Sequence, residues 1–176
     1  MLSNFIRWLR EEKAVAAIEA GFIFPLLMTI MLGTYDTGVG LVTNQKMINS
    51  CQMIADLLAR EEDVNDAEFE DAYVAGRMSM QPYDTATFGA DVVGIIFLGE
   101  EMTPTEDWRD VVNTVENNEV FERSEGLGRE DEGVIAVTVN YRYEPFFTRI
   151  FTDGWTMQEV SFVRGRKGLH VTRTRG

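Results

Sequence analysis

The residue whose type and position most directly indicate chemistry is Glu19, a carboxylate inside a long apolar stretch. Between residues 14 and 32 every position is apolar or small except Glu19 and Thr29. A carboxylate in hydrocarbon costs on the order of several kcal/mol unless it is neutralised or paired with a cation. We therefore predict that Glu19 has a cationic partner and that this pairing is part of the function.

Elsewhere the sequence contains no constellation typical of catalysis or metal binding. The one histidine, His170, lies in a basic C-terminal tail that we expect to be mobile. A mobile residue is a poor candidate for a member of a Ser/His/Asp triad or for a metal ligand. There is no P-loop, GxGxxG or CxxC motif, and acidic pairs are too abundant to indicate general acid–base work. We predict no enzymatic activity, cofactor or metal; a membrane-anchored hydrolase is the alternative that no residues support.

Composition and charge narrow the class of protein. The chain has 176 residues, enough for one domain of ordinary size plus an anchor. Its formal net charge is −13, from 16 Lys+Arg against 29 Asp+Glu, which argues against a phosphate-binding surface and a nucleic-acid partner. The single cysteine, Cys51, excludes an intramolecular disulfide, and its place on the apolar face of a predicted helix indicates plain packing.

The apolar stretch predicts a membrane-spanning helix with a cytoplasmic N-terminus. Its length matches the ~20 residues that a helix needs to cross a ~30 Å hydrocarbon core. Arg7, Arg10 and Lys13 precede it, whereas Asp36 is first among the charges that follow. By the positive-inside tendency, the chain after Leu32 is exported.

A cleaved secretory signal is the alternative to a lasting span. The apolar run is longer than a normal h-region, and no Ala-x-Ala pattern follows it. The nearest small-x-small pattern, from Gly38 to Gly40, lies far downstream. Pro25 predicts a kink in the helix, which neighbouring helices in a membrane can absorb.

Downstream of the span, the apolar spacing predicts more helix. Met47, Cys51, Ile54 and Leu58 recur at spacings of four, three and four, the pattern of an amphipathic helix with one apolar stripe. Joined to the span, this gives a nearly continuous helix over residues 14–60, roughly 70 Å long at 1.5 Å per residue.

A second, shorter helix is predicted to begin with Asn65 or Asp66 as its N-cap and to end before Pro82. Its apolar positions are Phe69, Tyr73, Val74 and Met78.

Beyond Pro82 the pattern changes to that of β-strands. Residues 90–99, 133–145 and 154–165 are rich in β-branched and aromatic residues or alternate in polarity, so each predicts a strand. Residues 108–116 are a fourth strand or, with Thr105 as N-cap, a short helix; we favour the strand. Short connections favour an antiparallel sheet of three to four strands with the amphipathic helix on one face, and therefore an α+β fold.

The acidic stretch over residues 116–132 is the most loop-like part of the sequence. We interpret its charge as that of a solvated connection. A partner or cation site is the alternative, but the acids lack an ordered ligand spacing such as that of a calcium loop.

The opening stretch resembles a known pattern. A short basic N-terminus, a small residue, four apolar or small residues, a glutamate and an apolar helix resemble the class III signals of type IV pilins. More closely, "KAVAAIEAGFIFPLLMTIMLGTYDTG" is similar to the TadE/TadF-like minor pseudopilins (TadE/TadG-like family) of tight-adherence (Flp) pilus systems. The matching residues are Ala14, Val15 to Ile18, Glu19, and Pro25 to Leu27. The closing segments "VTVNYRYEPFF" and "MQEVSFVRGR" are similar to the family's last two strands. Ala14 and Ala20 stand where glycine and an aromatic residue are usual.

This resemblance implies a processing step and a set of partners. A prepilin peptidase would cut between Ala14 and Val15 on the cytoplasmic side and free the α-amine of Val15. Glu19 would then recruit subunits, because the amine and a carboxylate four residues along, in the same or a neighbouring chain, neutralise each other in low dielectric. The implied partners are prepilin peptidase, other pilin or pseudopilin subunits, the Tad secretion machinery and the membrane.

The resulting organisation has three parts. Residues 1–13 form a basic cytoplasmic leader, residues 14–33 a transmembrane helix, and residues 34–176 an exported, periplasmic α+β domain. The protein is predicted to be a single-pass component of the bacterial inner membrane, or of the pilus itself, that assembles the fibre. The alternative is an uncleaved, signal-anchored periplasmic module that contacts another envelope protein through its acidic surface.

Overall fold

The structure is a computed structural model that describes residues 12–147, 149 and 153–175. Most of the predicted leader, residues 1–11, lies outside the described residues. The elements run in chain order: α1 (Glu12–Leu58), β1 (Asp63–Val64), α2 (Asp66–Ser79), β2 (Gly89–Leu98), β3 (Thr103–Val112), α3 (Glu119–Ser124), β4 (Gly133–Tyr143), β5 (Trp155–Arg164) and β6 (Thr172–Arg173). The fold is therefore α+β, as predicted.

The chain divides into two compact units. The first, called here the helix unit, comprises α1 up to Gly40 and the segment Pro145–Asp153. The second, the sheet unit, comprises Leu41–Glu144 and the residues from Gly154 onward.

Helix α1 runs without a break through Pro25 and the glycines that follow the apolar stretch. The predicted range was residues 14–60, and the observed range is Glu12–Leu58. The amphipathic part is confirmed within the sheet unit, where Met47, Cys51, Ile54 and Leu58 are all almost completely buried. The Cys51 thiol lies 3.1 Å from the carbonyl oxygen of Val137, so this stripe packs directly on the backbone of β4.

Helix α2 begins with a capping box that selects Asn65 over Asp66 as the N-cap. The Asn65 side chain accepts hydrogen bonds from the amides of Ala67 and Glu68, at 2.9 and 3.0 Å, and the Glu68 carboxylate accepts from the Asn65 amide. These bonds satisfy amide groups that have no partner inside the helix. Met78, predicted to be on the apolar side, is exposed instead.

Helix α2 can approach α1 closely because residue 76 is glycine. A Cβ at Gly76 would lie 2.5 Å from Cδ1 of Ile54. The Ser50 hydroxyl donates to the Gly76 carbonyl oxygen at 2.8 Å. Both partners lie on α1, so the contact joins the two helices inside the sheet unit.

Four antiparallel strands form the main sheet in the order β3-β2-β4-β5. The three predicted strands are confirmed, and the ambiguous stretch is a strand, although it spans Thr103–Val112 rather than residues 108–116. Pro104 is tolerated because β3 is an edge strand. At Gly94 a Cβ would lie 2.2 Å from the indole nitrogen of Trp108, so only glycine fits beneath this ring.

The sheet is covered on both faces, which the sequence analysis did not predict. One face meets α1. On the other, the buried side chains of Val93, Ile95, Phe97, Val134 and Ala136 cluster around Val120.

Val120 belongs to α3, inside the acidic stretch that was predicted to be a solvated loop. That prediction was wrong for this part of the stretch. Val120 and Phe121, the two apolar residues of α3, are too weak a periodic signal to predict a buried helix. In the structure both pack against one face of the sheet.

The C-terminal tail was predicted to be mobile, and this prediction was wrong. Strand β6 pairs with β1, and the Trp108 indole donates to the Val171 carbonyl oxygen at 2.7 Å. The Arg173 side chain is 5% exposed and donates to the Asp110 carboxylate at 2.6 Å. His170 is half-buried. The basic charges of the tail are therefore largely used to hold it against an acidic domain.

Candidate functional site: the apolar stretch of the long helix

The apolar part of α1 exposes its side chains all around the helix. Every residue from Val15 to Leu27 is exposed, and Phe22 reaches 79%. No residue of its most apolar 18-residue window is buried. A helix on the surface of a water-soluble domain buries one apolar stripe, whereas this one has no buried side. It is a candidate single membrane span, long and apolar enough to cross a bilayer.

The hydroxyl groups along this helix are satisfied by the helix itself. Thr29, Thr34 and Thr37 each donate to the carbonyl oxygen four residues earlier, at 2.9, 2.8 and 2.8 Å. The bond from Thr29 ends on the carbonyl of Pro25. Such back-bonding removes the cost of placing a hydroxyl in hydrocarbon, so these residues need no outside partner.

Glu19 differs from these threonines because an ionised carboxylate has no proton to donate to a carbonyl oxygen of its own helix. It is exposed, and among the described residues none donates a hydrogen bond to it or forms an ion pair with it. Its carboxylate lies one helical turn after Val15, on the same face of the helix. Within a bilayer this group requires either a proton or a cation from outside the described part of the chain.

The predicted cleavage bond lies at the start of the described helix. Ala14 and Val15 are both helical and belong to the first turn of α1. Hydrolysis there would remove residues 12–14 from the helix and leave Val15 as its new N-terminus.

A second carboxylate near the span, Asp36, has a role that the sequence analysis missed. It is 4% exposed although it follows the apolar stretch by only four residues. Its oxygens accept hydrogen bonds from the backbone amides of Phe146 and Phe147. The signal in the sequence was only an acidic residue after an apolar run, because its partners lie 110 residues away.

The sheet unit holds charged groups, but their geometry is structural. Asp91 is fully buried and is bound by Arg109, whose guanidinium also reaches Glu106 and Asn118. Among the described residues, no group of three or more His, Cys, Asp or Glu is placed to hold a metal ion. Burial raises the pKa of the Cys51 thiol to about 12, the opposite of what an attacking thiolate needs.

Comparisons of the chain with known protein families, curated proteins and solved structures find no match. The central feature of the apolar helix is Glu19, a carboxylate with no partner in the described part of the chain, whereas Thr29, the other polar residue of the span, bonds to its own helix.

Proposed function

We propose that this protein is a membrane-anchored, pseudopilin-like component for the assembly of a tight-adherence (Flp) pilus, with a structural or priming role. The observation that carries the proposal is Glu19, an exposed carboxylate with no partner among the described residues, in an apolar stretch of helix that has no buried residue. Its position five residues after Ala14 is the spacing found in the resembling pseudopilins. An assembly protein uses such a group to select a neighbour.

In this proposal, proteolysis creates the missing cation. A prepilin peptidase cuts between Ala14 and Val15, and the new α-amine of Val15 pairs with Glu19 of the same or a neighbouring chain. Because each charge is heavily penalised alone in a low dielectric, the pair is favoured over either separated group. The exposed small residues Ala16, Ala17, Ala20 and Gly21 let another helix approach closely enough for this contact.

The proposed location follows from the charges that flank the span. The N-terminus lies in the cytoplasm, the apolar stretch crosses the inner membrane once, and the α+β domain is periplasmic. The proposed partners are prepilin peptidase, pilin or pseudopilin subunits and the Tad secretion machinery.

A second candidate function is that of an uncleaved, anchored interaction module. One observation favours it: α1 is already helical on both sides of the Ala14–Val15 bond, so cleavage requires local unwinding of its first turn. In this case Glu19 takes its partner from another membrane helix, and the acidic domain contacts an envelope protein.

The two candidates are separated by the N-terminus of the mature protein. We would purify the full chain from cells with and without a prepilin peptidase and determine its mass and N-terminal sequence. The proposal expects a chain that starts at Val15 only when the peptidase is present. A chain that begins at Met1 in both strains contradicts processing and supports the anchored module.

The role of Glu19 is tested by replacing its charge. Glu19→Ala and Glu19→Gln should insert into the membrane as well as the wild type or better, while pilus assembly fails. Thr29→Ala is the matched control, since Thr29 is the other polar residue of the span but bonds only to its own helix. Normal assembly in the Glu19 variants would show that this carboxylate is merely tolerated.

A further inference from the structure

A short segment of the helix unit is fastened to α1 just beyond the apolar stretch. The Asp36 carboxylate accepts hydrogen bonds from the amide of Phe146 at 3.1 Å and from the amide of Phe147 at 3.2 and 2.9 Å. Asp36 is 4% exposed, and hydrogen bonds to a carboxylate are roughly twice as strong as neutral ones. The segment is thus held at a defined level of the helix.

The segment bound by Asp36 carries exposed aromatic rings next to the exposed ring of Tyr35. Tyr35, Phe146 and Phe147 are called here the aromatic cluster. Tyr35 and Phe146 each contact Phe147 edge to face, with ring centroids 5.5 and 4.8 Å apart. Phe146 is 78% exposed and Tyr35 57%. Two largely exposed rings packed on the same third ring, Phe147, indicate a surface that something apolar covers.

The level of the cluster along α1 identifies what covers it. Asp36 lies four residues beyond Leu32, about 6 Å along the helix at 1.5 Å per residue. If residues 14–32 fill the ~30 Å hydrocarbon core, the next ~5–7 Å is the headgroup layer. Aromatic side chains are enriched at this depth, where one side of the ring meets acyl chains and the other meets water.

We infer that the aromatic cluster is a membrane-interface anchor: Phe146 and Phe147 insert into the headgroup layer beside the point where α1 leaves the bilayer, and Asp36 holds them there. The occupant of this surface is lipid. The inference rests on one part of the proposed function, that α1 spans the membrane, and is independent of cleavage and of pilus assembly.

The experiment measures the depth of a fluorescent label in lipid. Full-length chains in a Cys51→Ala background would carry a nitrobenzoxadiazole label on Phe146→Cys and be reconstituted into phosphatidylethanolamine–phosphatidylglycerol vesicles. Nitroxide lipids with the quencher at the headgroup or deep in the acyl chain report depth. We expect the strongest quenching from the headgroup and shallow positions, and its loss when Asp36→Ala releases the segment.

Two further labels keep the outcomes distinct. Val115→Cys, at an equally exposed site of the sheet unit, is the reference label outside the helix unit, and the label at residue 146 should be quenched more strongly than this reference. Phe24→Cys should be quenched best from the deep position if α1 spans the bilayer. Failure at residue 24 overturns the span and with it the proposed function, whereas quenching at residue 24 without quenching at residue 146 overturns only the anchor.

A neighbouring subunit is the other possible covering for the cluster. In that case the label at residue 146 would be shielded from water yet insensitive to every lipid quencher, and its shielding would fall as the chain is diluted with lipid. That result also overturns the anchor.

Discussion

Arg109 binds Asp91 through two parallel hydrogen bonds, with its Nε and Nη2 atoms 3.0 and 3.1 Å from the two carboxylate oxygens. The two side chains are 7% and 0% exposed. Asp91 also accepts from the amide of Asn117 at 2.7 Å, and Asn117 donates to the Thr138 hydroxyl. This group of contacts joins β2, β3 and β4 to the chain that leads into α3. It has the satisfied geometry that a buried ion pair needs.

Removing one member of this pair should strongly destabilise the sheet unit. Arg109→Leu leaves the Asp91 carboxylate buried without its cation, and we expect a loss of about 3–5 kcal/mol in the free energy of unfolding. Arg142→Leu is the control, because Arg142 and Glu144 are both about half exposed and 3.6 Å apart, and it should cost under ~1 kcal/mol. Denaturant unfolding of the full chain in mild detergent measures both. Equal losses in the two variants would contradict a special role for the buried pair.

Val120 should behave as a core residue although it lies in the acidic stretch. It is fully buried, so Val120→Ala removes two methyl groups from the cluster on that face of the sheet, at an expected cost of about 1–3 kcal/mol. Val115→Ala, five residues earlier and 79% exposed, should be close to neutral. The same unfolding experiment compares them, and matching stabilities would restore the interpretation of this stretch as a solvated connection.

Cys51 should make stability fall at alkaline pH. Burial raises the pKa of its thiol from 9.0 to about 12 in the folded protein. Between these values the unfolded chain releases the proton and the folded chain keeps it, so stability is fully present below pH ~9. It decreases by up to about 1.4 kcal/mol per pH unit up to pH ~12.

Comparison with Cys51→Ala isolates this effect, since burial also raises the pKa of Tyr73 and Tyr141 in the folded protein. The variant should show a shallower decline in unfolding free energy between pH 9 and 11. Native Cys51 should also resist thiol reagents until the chain unfolds. Parallel pH profiles, or rapid labelling of the folded wild type, would contradict this description of the thiol.

Local periodicity was enough to predict most of the elements. The stripe of Met47, Cys51, Ile54 and Leu58 predicted the amphipathic part of α1, and the capping residues predicted the start of α2. Alternation and β-branched residues predicted β2, β4 and β5. These features are visible in sequence because neighbours along the chain share one helix face or one side of a strand.

Long-range pairings were not visible for the same physical reason. Nothing near Asp36 in the sequence indicates the amides of Phe146 and Phe147, and nothing near Asp91 indicates Arg109. The C-terminal tail was predicted from its own sequence to be mobile, yet in the structure it is hydrogen-bonded to Trp108 and Asp110. Burial of α3 likewise depends on a sheet face that exists only after β2 and β4 pair.

The sequence by itself determined that Glu19 is a lone carboxylate in a stretch long enough to span a membrane, since both properties depend only on residue types in order. The role proposed for Glu19 stays a prediction. Tertiary structure decided that Asp36 holds an aromatic cluster, that Arg109 pairs with Asp91, and that no residue of the described chain reaches Glu19. Hydrogen bonds and burial depend on which distant atoms meet, and only the folded chain brings them together.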